Sequence, residues 1–406
     1  MSLVYTDENN ISQRRNNMKK IISFILCICM LAGIAVLTGC GKTDEPESTT
    51  GSSGTTAQVT PPEDTTAPST GDDEVALKEK RERLKSIFLS EADQVIVTDD
   101  AVTFTDASSV DGSTITVPKN PGKTVNLYAS FTTLWYEAGG TVAGCIGGDS
   151  SVALYEEYIG RDITQDEGIV TVATSSSGKK WDVETIIALK PDLIICSTAM
   201  SGYSTIQSPA EAANIPVIAM SYNDFSDYLK WFKVFCNITG NPELWDSVAM
   251  KALDDVVDVL LECPTENNPT VFSMFYNGAE NLQANTSGTV VGGMLTEMNA
   301  INIVDTWDNT TSAERLEINL ETVFLANPDI IVVQCHASEA EAKESVESIY
   351  GSNPVWQSLK AVKEGKVYYL EKSLFHNKPN SRFAEAYQKL AAILYPDTTF
   401  SFQEEN

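Results

Sequence analysis

Histidine is scarce in this chain of 406 residues: there are two, His336 and His376. A three-histidine metal site within one chain is therefore excluded. Basic residues are also few. Lys and Arg total 28 against 56 Asp and Glu, a formal charge of −28, and so acidic a chain lacks the positive surface that non-specific nucleic-acid binding needs. Eight cysteines contain no Cys-x-x-Cys pair, so a thiolate zinc site has no support. No Walker A loop and no Gly-x-Ser-x-Gly elbow is present. Ser176-Ser177-Gly178-Lys179 has the Ser-x-x-Lys form but lacks the accompanying Ser-Asp-Asn and Lys-Thr-Gly boxes. Carboxylates abound, yet nothing places two across a substrate. What remains is ample core material: 42% hydrophobic and 8% aromatic residues exclude a chain disordered throughout. At roughly 150 residues per domain the length allows two domains plus extras.

The N-terminal region carries an export signal. Met18-Lys19-Lys20 is followed by an apolar run over 21–36 and by Leu37-Thr38-Gly39-Cys40. A basic start, a short apolar stretch and small residues before a cleavage point make a secretory signal. The run is shorter than the roughly 20 residues a comfortable membrane span needs. Leu-Thr-Gly-Cys resembles a bacterial lipobox, which implies cleavage over 18–39 and lipidation of Cys40. Residues 1–17 read as an extension upstream of the true start at Met18. Residues 41–74 hold 21 Ser, Thr, Gly or Pro and nine charges among 34. Such a segment cannot offset the entropy of ordering, so 40–74 reads as a disordered tether. Cys145, Cys196, Cys236, Cys263 and Cys335 remain after Cys40 is set aside. Their odd number and apolar settings predict buried thiols, not a disulfide framework.

The body then changes pattern. Residues 75–90 predict a helix with Leu77, Leu84 and Phe88 on one stripe. Residues 94–117 predict short β pieces around an Asp111-Gly112 hairpin signal. From 122 onward strands alternate with helices: apolar strands at 124–128, 193–196 and 215–220, then at 271–275, 330–333 and 367–370. This order predicts a mostly parallel sheet with helices on both faces. Between the two groups, Asn241-Pro242 predicts a helix start with Asn as cap and Pro at the first position. Leu244, Val248, Ala252 and Val256 keep one face apolar to about 261.

An internal repeat organises this pattern. Asp182-Val183-Glu184-Thr185 precedes Pro191-Asp192-Leu193-Ile194-Ile195, and Asn319-Leu320-Glu321-Thr322 precedes Pro328-Asp329-Ile330-Ile331-Val332. The spacing is identical and the copies lie 137 residues apart. Two similar α/β lobes joined by a long helix is the economical reading. A ligand would sit between them, at the carboxyl ends of the strands.

Glu184-Thr-Ile-Ile-Ala-Leu-Lys-Pro-Asp-Leu-Ile-Ile resembles the signature of class III ABC-transporter solute-binding proteins, the iron-siderophore, haem and vitamin B12 group. Residues 353–368, from Asn353-Pro-Val-Trp to Gly365-Lys-Val-Tyr, and 374–387, from Leu374-Phe-His-Asn to Glu385-Ala-Tyr, resemble later segments of that family. Together the match covers about 95–396. The resemblance implies two Rossmann-like α/β lobes joined by a long rigid helix, with little hinge motion. The expected divisions are 75–225, an interlobe helical region 226–267, 268–397 and a tail 398–406. It implies a monomeric, non-enzymatic lipoprotein on the outer face of a bacterial cytoplasmic membrane, held there by its lipid alone. Its partners would be an ABC permease dimer with its ATPase subunits and a small-molecule metal chelate. No nucleic acid and no resident cofactor are expected.

Specific residues follow. Glu184 and Glu321 stand in the first turns of their helices, where the macrodipole favours a carboxylate by roughly 0.3–1 kcal/mol. Their equivalence in both lobes and the family resemblance imply docking to permease arginines. The loops expected to line the cleft hold Ser130, Phe131, Ser176, Lys179 and Ser197 in the first lobe. In the second they hold Tyr276, Trp307, Arg315, His376, Lys378 and Arg382. Cations with aromatics suit an anionic chelate or haem propionates. His336 or His376 would ligate a metal only if the ligand were haem. Trp135 falls on the apolar side of its helix and is expected in the core. The ligand itself, iron-siderophore, haem or corrinoid, stays open.

Overall fold

The structure, a computed structural model, describes residues 70–401 apart from 110, 176–179, 279–280 and 308–312. The proposed leader, Cys40, Ser176 and Lys179 lie outside the described residues, as does the tether before residue 70. Helix α1 (Thr70–Leu89) leads into strands β1 (Ile96–Val97), β2 (Ala101–Phe104) and β3 (Ile115–Pro118), an antiparallel sheet of its own. Asp111 and Gly112 both take positive φ, 55° and 76°, as the hairpin signal requires, but they sit within a longer connection between β2 and β3.

Five parallel strands follow: β4 (Thr124–Asn126), β5 (Gly144–Ile146), β6 (Val170–Ala173), β7 (Leu193–Ser197) and β8 (Val217–Met220), ordered β6-β5-β4-β7-β8. Their crossovers carry α2 (Ala129–Glu137), α3 (Asp149–Ile159), α4 (Val183–Ala188) and α5 (Tyr203–Ala212). The chain then runs through α6 (Phe225–Ile238), a π-helical turn at Trp245–Met250 and α7 (Lys251–Glu262). Asn241 does not cap this helix. Its amide donates back to the Thr239 carbonyl at 3.1 Å and hydroxyl at 3.2 Å, and the helix begins after a turn at Pro242.

The second sheet contains β9 (Thr270–Tyr276), β10 (Leu282–Asn285), β11 (Ile301–Asn302), β12 (Arg315–Glu317), β13 (Ile330–Cys335) and β14 (Val367–Leu370). Its order is β12-β10-β9-β13-β14, with β11 beside β9. This sheet is mostly parallel, as expected, through β11, β9, β13 and β14, but β10 runs antiparallel to β9 and β12. The cause is local. Gly278 turns at φ 85° and Asn277 N–H bonds the Asn281 carbonyl, and so short a connection only joins antiparallel strands. Helices α8 (Val290–Glu297), α9 (Leu320–Ala326), α10 (Glu339–Tyr350), α11 (Pro354–Ser358), α12 (Lys360–Lys363), α13 (Lys372–Phe375) and α14 (Phe383–Leu394) complete the body.

The two Pro-Asp strands, β7 and β13, thus lie in separate sheets. Period-two alternation splits each strand between cores. Leu193, Ile195 and Val332 join one apolar cluster that runs through Phe232 and Val256. Ile194 faces a second cluster, and Ile331 and Val333 a third. Helix α14 packs on α7, and α1 clips α7 from elsewhere through Arg81 to Asp258 at 2.5 Å and Lys85 to Asp254. Trp135 is buried in the core, its indole N–H on the Thr141 carbonyl. All five described cysteines are free and buried.

The Pro-Asp repeat has a structural job. Asp192 accepts the Lys123 N–H at 2.8 Å, and Asp329 accepts the Thr270 N–H at 2.9 Å. Each aspartate so pins the entry to its sheet's neighbouring strand, β4 or β9. Lys360 also bonds Asp329 at 2.6 Å. Burial alone would raise this carboxyl, but Lys360 and Thr270 outweigh it and hold it at about 2.

Candidate functional site

A cavity of about 520 Å³ opens at the carboxyl ends of the first sheet. Its walls come from the segments after four parallel strands: Tyr128 after β4, residues 147–151 after β5, Thr174 and Ser175 after β6, and Met200 after β7. His336, which follows β13 of the second sheet, closes the far side. This is where open α/β sheets place ligands. Gly148 makes the wall possible: it sits at φ 87°, and a Cβ there would meet the Thr174 carbonyl at 2.2 Å. A larger cavity, about 800 Å³, lies at the opposite, amino end of the same sheet, between residues 118–122, 190–192 and 213–216.

His336 leads to a cluster of cations and rings. Its Nδ1 lies 2.8 Å from His376 Nε2, so one imidazole donates and the other accepts. His376 stacks on Phe275, centroids 5.7 Å apart. The Arg315 guanidinium lies over the same Phe275 ring, 4.1 Å from its centre. Lys378 stands 5.1 Å over Tyr222, which stacks on Phe131, and Phe131 meets Tyr128 at the cavity wall. Burial pushes Lys378 down to about 8, with Arg315 adding repulsion and Asp227, Glu314 and Asp224 opposing. Burial also lowers His376, to about 3, with His336, Lys372, Lys378 and Arg315 acting the same way. Burial, with Lys372 adding repulsion, lowers His336 as well. Burial lowers Arg315 too, against its neighbour Glu314, whose carboxylate is 3.8 Å away.

Several expected lining residues are placed differently. Ser130 and Phe131 fall inside helix α2 and are buried, not in a loop, because Tyr128 already serves as the helix cap. Ser197 and Tyr276 end their strands and are buried. Trp307 packs on Phe272 of the second core. Arg382 is occupied: it bonds Glu157 at 2.7 Å and Glu385 at 2.7 Å, within a bridge between the sheets. That bridge also includes Tyr158 to the Ser373 carbonyl, Asn380 to Thr133, and Ser381 to Glu137. The structure so brings together Arg315, His336, His376 and Lys378, and adds Tyr128, Met200, Tyr222 and Phe275, which sequence reasoning passed over. Gly147-Gly148-Asp149-Ser150-Ser151 after an apolar strand was the one legible sign of the cavity wall.

Glu184 and Glu321 occupy matching places in α4 and α9. Asp182 caps the first helix by accepting the Thr185 N–H at 3.0 Å, and Asn319 caps the second by accepting from Glu321 and Thr322. Both glutamates are exposed, and neither forms an ion pair among the described residues. Beside Glu321, Phe324 and Leu325 are 47% and 83% exposed. No described helix is long and apolar enough to cross a membrane.

Two sheets linked by helices, with a cavity at the strand ends, define an α/β ligand-binding body. The sequence model of the periplasmic binding protein family matches residues 125–374, so the chain belongs to that family, as a class III solute-binding protein of ABC uptake systems. It is similar to the Fe(3+)-citrate-binding protein YfmC of Bacillus subtilis, 25% identical over 62% of this chain and 74% of the relative. Two solved structures share the fold. An ABC transporter substrate-binding protein of Listeria monocytogenes superposes with TM-score 0.55 at 21% identity, over 69% of this chain and all of that one. Staphylococcus aureus IsdE complexed with heme gives 0.54 at 17% identity, over 67% and 98%.

Proposed function

We propose that this protein captures an anionic metal chelate of the iron-siderophore kind and delivers it to an ABC permease dimer served by ATPase subunits. The supporting observation is the pair Arg315 and Lys378. Both cations are half-buried behind the cavity wall, Arg315 against Phe275 and Lys378 against Tyr222, and Lys378 has no carboxylate within ion-pair distance among the described residues. A desolvated charge without a close partner, as at Lys378, is costly, and an anionic ligand would supply the missing charge there and add to the single long contact that Arg315 makes with Glu314. They would also invert, locally, the negative field of a chain at −28. The likeness to an Fe(3+)-citrate-binding protein agrees with this chemistry.

In this reading the lobes are 75–225 and 268–397, bridged by 226–267. Cys40 carries the lipid that holds the monomeric protein at the outer face of the cytoplasmic membrane. Glu184 and Glu321 dock one lobe each onto the permease, since two carboxylates on one body fix orientation as well as attraction.

A second reading is haem. Met200 and His336 line the same cavity from opposite sheets, and a thioether with an imidazole is a known axial set for haem iron. The relative IsdE is a heme uptake protein, though similar over only 28% of this chain. Tryptophan fluorescence titrated with ferric citrate, haem and cyanocobalamin separates the readings. Saturable binding of ferric citrate, in the micromolar range or tighter, supports the first. A shifted haem absorption band lost in Met200→Ala and His336→Ala supports the second. Binding of free ferric ion or sugars, with no chelate bound, refutes both.

A further inference from the structure

Phe275 is the penultimate residue of β9 and is 7% exposed. A buried phenyl ordinarily belongs to an apolar core, but Phe275 belongs to none of the three clusters that hold this body together. The cation and ring that it meets are the Arg315 guanidinium at 4.1 Å and the His376 imidazole, stacked at 19° between planes. Arg315 reaches it from β12, two strands away. Among the described residues, the Arg315 Nε is buried without a hydrogen-bond partner, and the acidic neighbour that pairs with Arg315, Glu314, stands at 3.8 Å.

We infer that Phe275 is the positioning residue that sets the cleft's preference for anionic over uncharged ligands, by holding Arg315 face-on so that the guanidinium's in-plane donors stay free. This rests on the anionic-chelate reading and names the residue that makes the reading selective. The ring quadrupole attracts a cation at its face, more strongly where water is excluded. A guanidinium held by its face keeps its N–H groups in the plane, where a carboxylate or similar planar anion is taken by two parallel hydrogen bonds. An aliphatic residue at 275 would fill space but exert no such pull, and Arg315 would turn to Glu314 or to solvent. A lysine at 315 would keep the charge and lose the fork. His376 on the same ring ties the platform to His336, and so to the wall of the cavity.

The test uses the whole protein with Phe275→Leu, Phe275→Tyr and Arg315→Lys, titrated with ferric citrate and with uncharged cyanocobalamin. Ferric citrate affinity should fall about tenfold in Phe275→Leu and in Arg315→Lys and recover to within about twofold in Phe275→Tyr, while any cyanocobalamin affinity stays within about twofold. Unchanged ferric citrate binding in Phe275→Leu, or equal losses in Phe275→Leu and Phe275→Tyr, overturns the inference. If the unaltered protein binds neither probe, the chelate reading fails separately, and a ligand-free readout decides Phe275. In protein labelled with ¹⁵N-arginine, the Arg315 Nε–H resonance should be shifted by the ring, lose that shift in Phe275→Leu and regain it in Phe275→Tyr. A resonance that does not move in Phe275→Leu refutes the positioning role, whatever the ligand.

Discussion

Replacing Glu137 by Gln should stabilise the protein above neutral pH and leave it nearly unchanged in acid. Glu137 ends helix α2 and meets the bridge from the second sheet. One carboxyl oxygen accepts the Ser381 hydroxyl at 2.5 Å and N–H at 3.3 Å. The other is buried with no hydrogen-bond partner among the described residues. Burial raises this carboxyl from 4.5 to about 7, against the two Ser381 bonds, and the surrounding Tyr158, Tyr222 and Tyr228 bring no positive charge. With the folded value above the unfolded one, the folded protein holds a proton that the unfolded chain releases. Its stabilising effect is complete below about 4.5, declines as pH rises, and is gone above about 7. Each tenfold change in proton affinity is worth about 1.4 kcal/mol, so the full loss is about 3 kcal/mol at most. Gln mimics the protonated acid and does not pay this loss. Urea denaturation of both proteins at pH 5 and pH 8 measures the difference. Glu137→Gln should match the unaltered protein at pH 5 within about 1 kcal/mol and exceed it by about 2–3 kcal/mol at pH 8. An equal difference at both pH values would exclude protonation of Glu137 as the cause.

Other outcomes follow from the same geometry. Arg315→Ala should weaken ferric citrate binding about tenfold or more, as loss of a charged partner does, whereas Arg382→Ala should leave affinity near its starting value and cost about 1 kcal/mol of stability, since its ion pairs are half-exposed; the two measurements are a titration and a denaturation curve. Glu184→Ala with Glu321→Ala should abolish permease-stimulated transport in reconstituted vesicles while ligand affinity is kept, and each single change should be milder, because an exposed pair contributes roughly 0.2–1 kcal/mol. Asp329→Asn should destabilise by about 1 kcal/mol at pH 7, allowing for partial exposure. Because Asp329 is held at about 2, below an ordinary aspartate, its stabilisation is present above about pH 4 and lost as pH falls through 2; acid denaturation of both proteins should therefore converge there.

The strands that sequence made legible are those buried on both faces. β7 and β13 read as unbroken apolar runs because helices cover each side, and the Glu-Thr to Pro-Asp spacing exposed their equivalence. β5, with three residues, and β10 to β12, with polar residues at the edge, left no such run. Asn241-Pro242 looked like a cap and was not, since the Asn241 amide found Thr239 closer at hand. The same limit governs the site. Arg315 and Lys378 were legible as cations on loops, but their burial is a property of the packed fold. Arg382 carried the same sequence signal, and only the positions of Glu157 and Glu385 distinguish its role. Phe275 was hidden among the apolar residues of its own strand, Glu137 behind an ordinary helix end. Met200 carries no pattern, because its place at the cavity comes from strands that are distant in the chain, and Tyr222 is recognised only by its packing on Phe131 and Lys378.

The position of bound metal decides where this protein holds its ligand. Crystals grown with the chelate that binds most tightly, examined by anomalous diffraction at the metal edge, would locate it. Metal is expected in the cavity between residues 147–151 and His336, with the chelate's anionic groups on Arg315 and Lys378. Metal in the larger cavity between residues 118–122 and 213–216, or a chelate that touches neither cation, would contradict that arrangement.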